Sequence, residues 1–333
     1  MLKWLRRIAL GVLGLVVIAL AVTVRLDLPA ADVDAKYSSP ASKFLDLASG
    51  ARVHVRDEGK RDGPALVLVH GSNDSLHTWE AWVPLLGRDF RLVSLDLPGH
   101  GLTGRVPGDD YSNDALVRCL AAVVDVLGLR DFALAGNSLG GHVAWRYALD
   151  HQDRVQRLIL LDAGGYPNAG PRPTFAKVLA LPGAQLFIRY LDPAPLVRSG
   201  FRQAVVDPNV ITPQSIERSV EMIRREGSRD AIAHRLKVAQ MVGPYARMRE
   251  LRMPTLILWG ERDRFVPVQN AYRFKADIRN SSLITYPNVG HLPMREVPER
   301  SAAHVREFML KELPTEPSTA AAQNQAPQPA PTP

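Results

Sequence analysis

The stretch that decides the fold is Phe132-Ala133-Leu134-Ala135-Gly136-Asn137-Ser138-Leu139-Gly140-Gly141-His142-Val143-Ala144-Trp145. It opens as a short apolar run, as a strand buried on both faces does. From Leu139 the apolar residues follow a helical period. Between the two lies Gly136-Asn137-Ser138-Leu139-Gly140, a G-x-S-x-G turn. The glycines let the chain turn tightly and let the flanking elements approach, which forces Ser138 out at the crest. The helix starting there aims free N–H groups and its positive dipole end at whatever reacts with the hydroxyl. Taken alone, the pattern also fits an ordinary strand-to-helix turn.

The flanking chain alternates strand and helix. KFLDLASGARVHVRDEG (43–59) reads as two strands joined at Ser49-Gly50, and ALVLVH (65–70) as a buried strand. LHTWEAWVPLLG (76–87) is helical in period, and FRLVSLDL (90–97) is a strand. YSNDALVRCLAAVVDVLGL (111–129) is a long amphipathic helix ending at Gly128, and RLILLDA (157–163) is a strand. The alternation stops at Gly164. It resumes with PTLILWG (254–260), a helix from Val268 to Ala276, the strand SLITYP (282–287) and the helix PERSAAHVREFMLKEL (298–313). Such a pattern predicts βαβ units and a parallel sheet. The interruption, 165–252, is mostly helical, clearest in TFAKVLALPGAQLFIRYL (174–191) and TPQSIERSVEMIRRE (212–226). We read it as an insertion placed over the carboxyl edge of the sheet, where open α/β folds keep their sites.

A serine hydroxyl needs a base to become a useful nucleophile. His291, in Asn288-Val289-Gly290-His291-Leu292-Pro293, follows the strand 282–287 and lies on a loop at the carboxyl edge. A carboxylate must hold the histidine tautomer and stabilise the imidazolium. Asp263, in LWGERD (258–263), is the first choice, and Asp162 in LLDAGG (160–165) is the alternative. Three residues on three strand ends, in the order Ser, Asp, His, are more specific than any one motif. An oxyanion needs two fixed donors, and the backbone N–H groups of Leu139 and Ser72 are the candidates. Asn73 is a candidate accessory donor, and His77 and His142 are candidate pocket residues. His70 and Asp96 read as structural. The chain calls for no metal and no cofactor.

A single cysteine, Cys119, excludes an internal disulfide framework and a Cys-rich metal site. It sits in an apolar helical run and reads as a core thiol. The net charge of +7 brings no nucleic-acid motif with it. Residues 165–252 hold 14 Lys/Arg against 7 Asp/Glu, the whole of the excess. This suggests a basic face near a membrane surface. Lys3, Arg6 and Arg7 precede the apolar run Ile8–Val24, at the short limit for spanning a bilayer. Residues 1–26 are therefore expected to be a membrane anchor or a signal segment cleaved after Ala19-Leu20-Ala21, with the catalytic part outside the cytoplasm either way. Residues 27–42 read as a linker, and the Pro/Ala/Gln-rich 314–333 as a disordered tail. Nothing in the chain fixes the oligomeric state.

LVHGSNDSLHTWEAW, LDLPGHG, GNSLGG, LWGERD and NVGHLP together resemble the α/β-hydrolase superfamily in its capped, serine-nucleophile branch, over about Lys43 to Leu313. The resemblance implies a mostly parallel eight-stranded sheet with helices on both faces, formed by 43–164 and 253–313, with 165–252 as a helical lid. It implies an esterase, lipase, lactonase, carbon–carbon bond hydrolase or cofactor-free haloperoxidase-like enzyme. Ser138 argues against the Asp-nucleophile dehalogenases and epoxide hydrolases. Leu139, where the proline peptidases carry an aromatic, argues against that branch. The leading expectation is a membrane-tethered carboxylic ester hydrolase for a small lipophilic ester. The alternative is hydrolysis of a carbon–carbon bond in a ring-cleavage product, and a minor one is a binding protein with a vestigial site.

Overall fold

The computed structural model describes residues 4, 6–8, 10–14, 23–167, 190–238 and 242–312. Eight strands form one sheet: β1 (Ser42–Asp46), β2 (Arg52–Gly59), β3 (Ala65–Val69), β4 (Arg91–Leu95), β5 (Phe132–Asn137), β6 (Val155–Leu161), β7 (Thr255–Gly260) and β8 (Ser281–Tyr286). Their spatial order is β1-β2-β4-β3-β5-β6-β7-β8. β1 and β2 form an antiparallel hairpin, β2 pairs antiparallel with β4, and every later pairing is parallel. The strand β3 and the central parts of β5–β7 are apolar because helices cover both faces.

The period of two in β3 sorts its side chains into two cores. Val67 and Val69 join Leu134, Leu160, Val143 and Trp145 under the helices Asn113–Val126 (α3) and Leu139–Asp150 (α4). Leu66 and Leu68 join Trp79, Trp82, Ile159 and Val305 on the other side. There Val83–Leu86 (α2) and Pro298–Leu310 (α10) cover the sheet. Each fully buried Leu or Val contributes about 1.5–3 kcal/mol, so the sheet is clamped from both sides. Ser112 caps α3 by accepting from the Ala115 N–H at 3.2 Å. Cys119 is buried on α3, and burial pushes its thiol up to about 12.

The insertion carries helices Ala194–Ala204 (α5), Pro213–Arg224 (α6) and Ser228–Val238 (α7). The stretch 212–226 is helical as read, whereas most of 174–191 lies outside the described residues. Gln269–Asp277 (α8) and Pro293–Glu296 (α9) belong to the core. The expected tail, 314–333, also lies outside the described residues.

Two expectations for the N-terminal region need correction. Among the described residues no helix is long and apolar enough to cross a membrane. Part of the apolar run, 9 and 15–22, lies outside them. Val24 bridges Leu191 antiparallel, and the Asp192 N–H donates to the Thr23 carbonyl at 2.7 Å. This edge pairs with the insertion, and the placement of the catalytic part across a membrane loses its support. Residues 27–42, read as a linker, instead carry helix Ala30–Tyr37 (α1) docked on the insertion. Asp34 takes a two-pronged ion pair from Arg225, with Nε at 2.7 Å and Nη2 at 2.9 Å. Tyr37 Oη donates to Glu221 at 2.7 Å, and Lys36 reaches both Glu217 and Glu221. The apolar cue missed the helix because only Val33 of α1 is buried.

Because the Arg225–Asp34 pair is mostly out of water on both sides, Asp34→Ala should destabilise the fold by roughly 1–3 kcal/mol. Urea unfolding read by tryptophan fluorescence measures this. A flexible linker would show no change.

Candidate active site

Ser138 sits between β5 and α4 with φ +54°, a left-handed conformation that costs a non-glycine residue about 1–2 kcal/mol. Surrounding hydrogen bonds impose it. Its N–H donates to the Leu161 carbonyl at 3.0 Å, and its own carbonyl accepts from His142 N–H at 3.0 Å and Gly164 N–H at 2.9 Å. The glycine after it is set by close approach. A Cβ on Gly140 would lie 2.1 Å from the Val69 carbonyl oxygen, so β3 and α4 touch through backbone. The same crowding brings the loop after β3 to the turn: a Cβ on Gly71 would stand 3.2 Å from Ser138 Cβ.

His291 and Asp263 are brought together. His291 Nδ1 donates to Asp263 Oδ2 at 2.6 Å, and both are buried. Asp263 Oδ1 accepts from the N–H groups of Phe265 and Val266, at 2.7 and 3.1 Å. This fixes the carboxylate, and the carboxylate fixes the ring. The Phe265 ring meets the His291 ring edge-on at 5.2 Å. Asn137 Nδ2 donates to the His291 carbonyl at 3.0 Å, so the residue preceding Ser138 ties the serine turn to the histidine loop. A Ser138–His291 hydrogen bond is not among those formed by the described residues. Such nucleophile–base contacts are commonly loose before substrate binds.

Leu139 is the first residue of α4, so its N–H has no partner within the helix. Ser72 is exposed on the loop beside Ser138. Leu139 directly follows the serine, and Gly71, the residue before Ser72, stands against it. Asn73 has φ +58°, and its Oδ1 accepts from Arg235 Nη2 at 2.8 Å. His77 is a tie within the fold. Its Nε2 accepts from Arg56 at 2.9 Å and its Nδ1 meets Ser75 Oγ at 3.0 Å. Burial, with Arg218 and Arg56 nearby, pushes it down to about 3, so it is neutral. His142 is also held neutral, near 3, by burial and Arg146. It is wholly enclosed and stacks edge-on against Trp145 at 5.1 Å. The Gly164 backbone is near its ring, but neither nitrogen reaches hydrogen-bond geometry among the described residues.

Asp96 ties loops together, accepting from Leu76 N–H, Leu102 N–H and His54 Nδ1 at 2.7–2.8 Å. Burial alone would raise its carboxyl, but the bond to His54 and the nearby histidines outweigh that and hold it below the usual range. Asp162, Asp263 and His291 each offer one donor atom, all within 4.8 Å of one another. This is the one cluster of the described residues with the spacing to hold a metal ion. His291 Nδ1, however, is already engaged by Asp263.

Three contributors were not legible beforehand. Asn137 carries the bridge just described. Glu296 accepts from Gly290 N–H at 2.8 Å and Val206 N–H at 2.7 Å, clamping the histidine loop to the insertion. Arg235, on α7, reaches back to Asn73 and His100. Only Asn137 carried a local signal, as the residue before the serine.

The family described as alpha/beta hydrolase fold matches residues 64–296. The chain belongs to the α/β-hydrolase family. It is 29% identical over 286 residues to a 2-hydroxy-6-oxononadienedioate/2-hydroxy-6-oxononatrienedioate hydrolase of Burkholderia vietnamiensis, covering 82% of this chain and 97% of that one. A hydrolase of the same name from Klebsiella pneumoniae is 31% identical over 264 residues, covering 75% of this chain and 89% of its own. Among solved structures, a bacterial membrane phospholipase A is 25% identical with a TM-score of 0.69, covering 92% of this chain and 96% of that one. The names of the curated relatives overturn the leading expectation of an ester hydrolase for a lipophilic substrate. Their named substrates contain no ester, and the relatives support the carbon–carbon alternative instead.

Gly140→Ala should therefore cost at least about 3 kcal/mol, because the clash is with backbone and cannot relax by a rotamer change. Gly200→Ala, inside α5 where a Cβ meets nothing within 4 Å, should raise the thermal midpoint slightly, because alanine is favoured over glycine in a helix interior by about 0.5–1 kcal/mol. Melting curves of the two variants check the contrast.

Proposed function

We propose that this hydrolase cleaves a carbon–carbon bond in a carboxylated ring-cleavage product, a vinylogous diketone of the 2-hydroxy-6-oxo-dienoate type. The observation that carries this reading is the similarity, over most of both chains, to hydrolases named for such dienedioates. A compound of that class has no ester to hydrolyse, so water must be added across the bond between the 6-oxo carbon and its neighbour.

Ser138 Oγ attacks the 6-oxo carbon while His291 takes its proton, and Asp263 stabilises the imidazolium. The N–H groups of Leu139 and Ser72 receive the negative oxygen. The cleavage takes place in the keto tautomer, in which the 2-hydroxyl proton has moved to the carbon next to the 6-oxo carbon. The carbon–carbon bond then breaks, its electron pair passes through the conjugated system onto the 2-oxygen as a dienolate, and the proton held by His291 neutralises that dienolate. Water, activated by His291, next hydrolyses the acyl-serine, so the acyl carbon gains OH and Ser138 regains its hydrogen.

Arg235 supports an anionic substrate. Its side chain is buried, forms no ion pair among the described residues, and leaves Nε without a partner. Burial lowers it only to about 10, so it stays charged at neutral pH. Its contacts are neutral: Asn73 Oδ1 and His100 Nε2. Burial and the Arg235 charge hold His100 well below its ordinary range. Arg235 lines a cavity of about 40 Å³ with Asn73, Gly99, His100, Ser219 and Met222. One water needs about 10–15 Å³ of such space, so a carboxylate fits. Asp74 also lines the cavity, with Oδ1 accepting from Ser75 N–H at 2.8 Å.

A fluorophosphonate should label the wild type and not Ser138→Ala. The wild type should consume a 2-hydroxy-6-oxo-dienoate, followed by loss of dienolate absorbance, in preference to p-nitrophenyl esters. Ester turnover with an inert diketone sinks the reading. Arg235→Gln should raise KM for the carboxylated diketone roughly 10–100-fold, the worth of one charge-assisted hydrogen bond, with little change in kcat.

A further inference from the structure

We propose that Asp162 is a positioning residue: a carboxylic acid at the end of β6 that turns its proton toward Asp263 and, where the Asp263 carboxylate is lost, replaces it as the acid partner of His291. The proposal goes beyond the choice of substrate and rests only on the roles given to Asp263 and His291.

Asp162 follows β6 directly and is wholly buried. Its φ of +45° is held by its N–H donating to the Leu258 carbonyl at 3.1 Å, so the side chain is aimed by backbone geometry. Oδ1 accepts from the Gly260 N–H at 2.9 Å, while Oδ2 has no donor among the described residues. A buried carboxylate oxygen without a donor is costly. Protonation removes the cost, because the oxygen then becomes a donor itself. The acceptor at hand is Asp263, whose carboxylate lies within 4.8 Å together with the His291 ring.

Two carboxyl groups this close share one proton. Asp263 has three donors, from Phe265, Val266 and His291, whereas Asp162 has one. The negative charge therefore belongs on Asp263 and the proton on Asp162. The other groups that face Asp162 agree. Full burial comes first, then the Asp263 charge, with Glu296 adding in the same direction, and together they push the Asp162 carboxyl well above its ordinary range. Tyr286, itself raised by burial, adds no positive charge. Asp162 so supplies Asp263 with a fourth hydrogen bond. With Asp263 neutralised, the repulsion that keeps Asp162 protonated disappears, and the His291 ring is within reach.

The test uses the full chain with Asp162→Asn, Asp263→Asn and both changes together, each checked for folding by thermal melting. The rate of fluorophosphonate labelling of Ser138 reads the base without needing a natural substrate. Asp263→Asn should lose about 10²-fold, and its residual rate should rise with pH as Asp162 ionises. The double variant should fall about 10⁴-fold, as when a triad acid is lost with no replacement. Asp162→Asn, whose amide still donates to Asp263, should stay within a few-fold of wild type. Infrared difference spectra near neutral pH should show a protonated carboxyl band that Asp162→Asn removes. Equal losses in the single and double Asp263 variants overturn the proposal, as does a band unchanged in Asp162→Asn. The infrared result needs no turnover, so it separates failure of this assignment from failure of the hydrolase reading.

Discussion

The site depends on one steric fact: α4 begins in backbone contact with β3. At Gly140 there is no room for even a methyl group against the Val69 carbonyl. That contact pins the start of the helix, and the pinned helix leaves Ser138 no conformation but a left-handed one. The strain is local, of order 1–2 kcal/mol. It is opposed by the hydrogen bonds of Ser138 with Leu161, His142 and Gly164 and by two apolar cores. In exchange the hydroxyl stands clear of the sheet, with free helix-terminal N–H groups beside it.

A serine so presented is useful only if the histidine loop stays in register with it, and three ties ensure that. Asn137 bridges from the turn to the His291 carbonyl, Asp263 holds the imidazole, and Glu296 braces Gly290. The third tie also reaches Val206, and the His291 N–H donates to Ala204 at 2.6 Å. The insertion is thus wired to the base itself. Movement of α5 would be felt at His291 before it changed the pocket walls.

The sheet and its strand ends were legible because burial on both faces writes a plain apolar run, and βαβ alternation repeats that signal. The three strand-end residues could be read for the same reason: each follows a strand of unmistakable composition. What stayed hidden was written in polar side chains. Helix Ala30–Tyr37 buries a single valine and docks through Asp34, Lys36 and Tyr37, so no hydrophobic period announces it. His77 looks like a pocket group in a loop, yet Arg56, far off in sequence, claims it. The Asp162–Asp263 pairing requires β6 and β7 to be neighbours, which strand composition does not reveal.

Charge shows most clearly where composition misleads. The excess of basic residues over 165–252 suggested a face turned to a membrane. In the fold several of these cations are already neutralised: Arg218 meets Glu80 at 3.0 Å, Arg225 meets Asp34 at 2.7 Å, and Arg229 meets Asp27 at 3.2 Å. All three partners lie outside the insertion, so the basic residues serve to seat it on the rest of the chain. Arg235 is the contrast, buried against a neutral amide and a neutral imidazole. A guanidinium kept charged without a counterion loses hydration that its contacts do not fully restore. A carboxylate arriving from outside would supply the missing counterion, which fits the acidic substrate we propose better than a lipid surface.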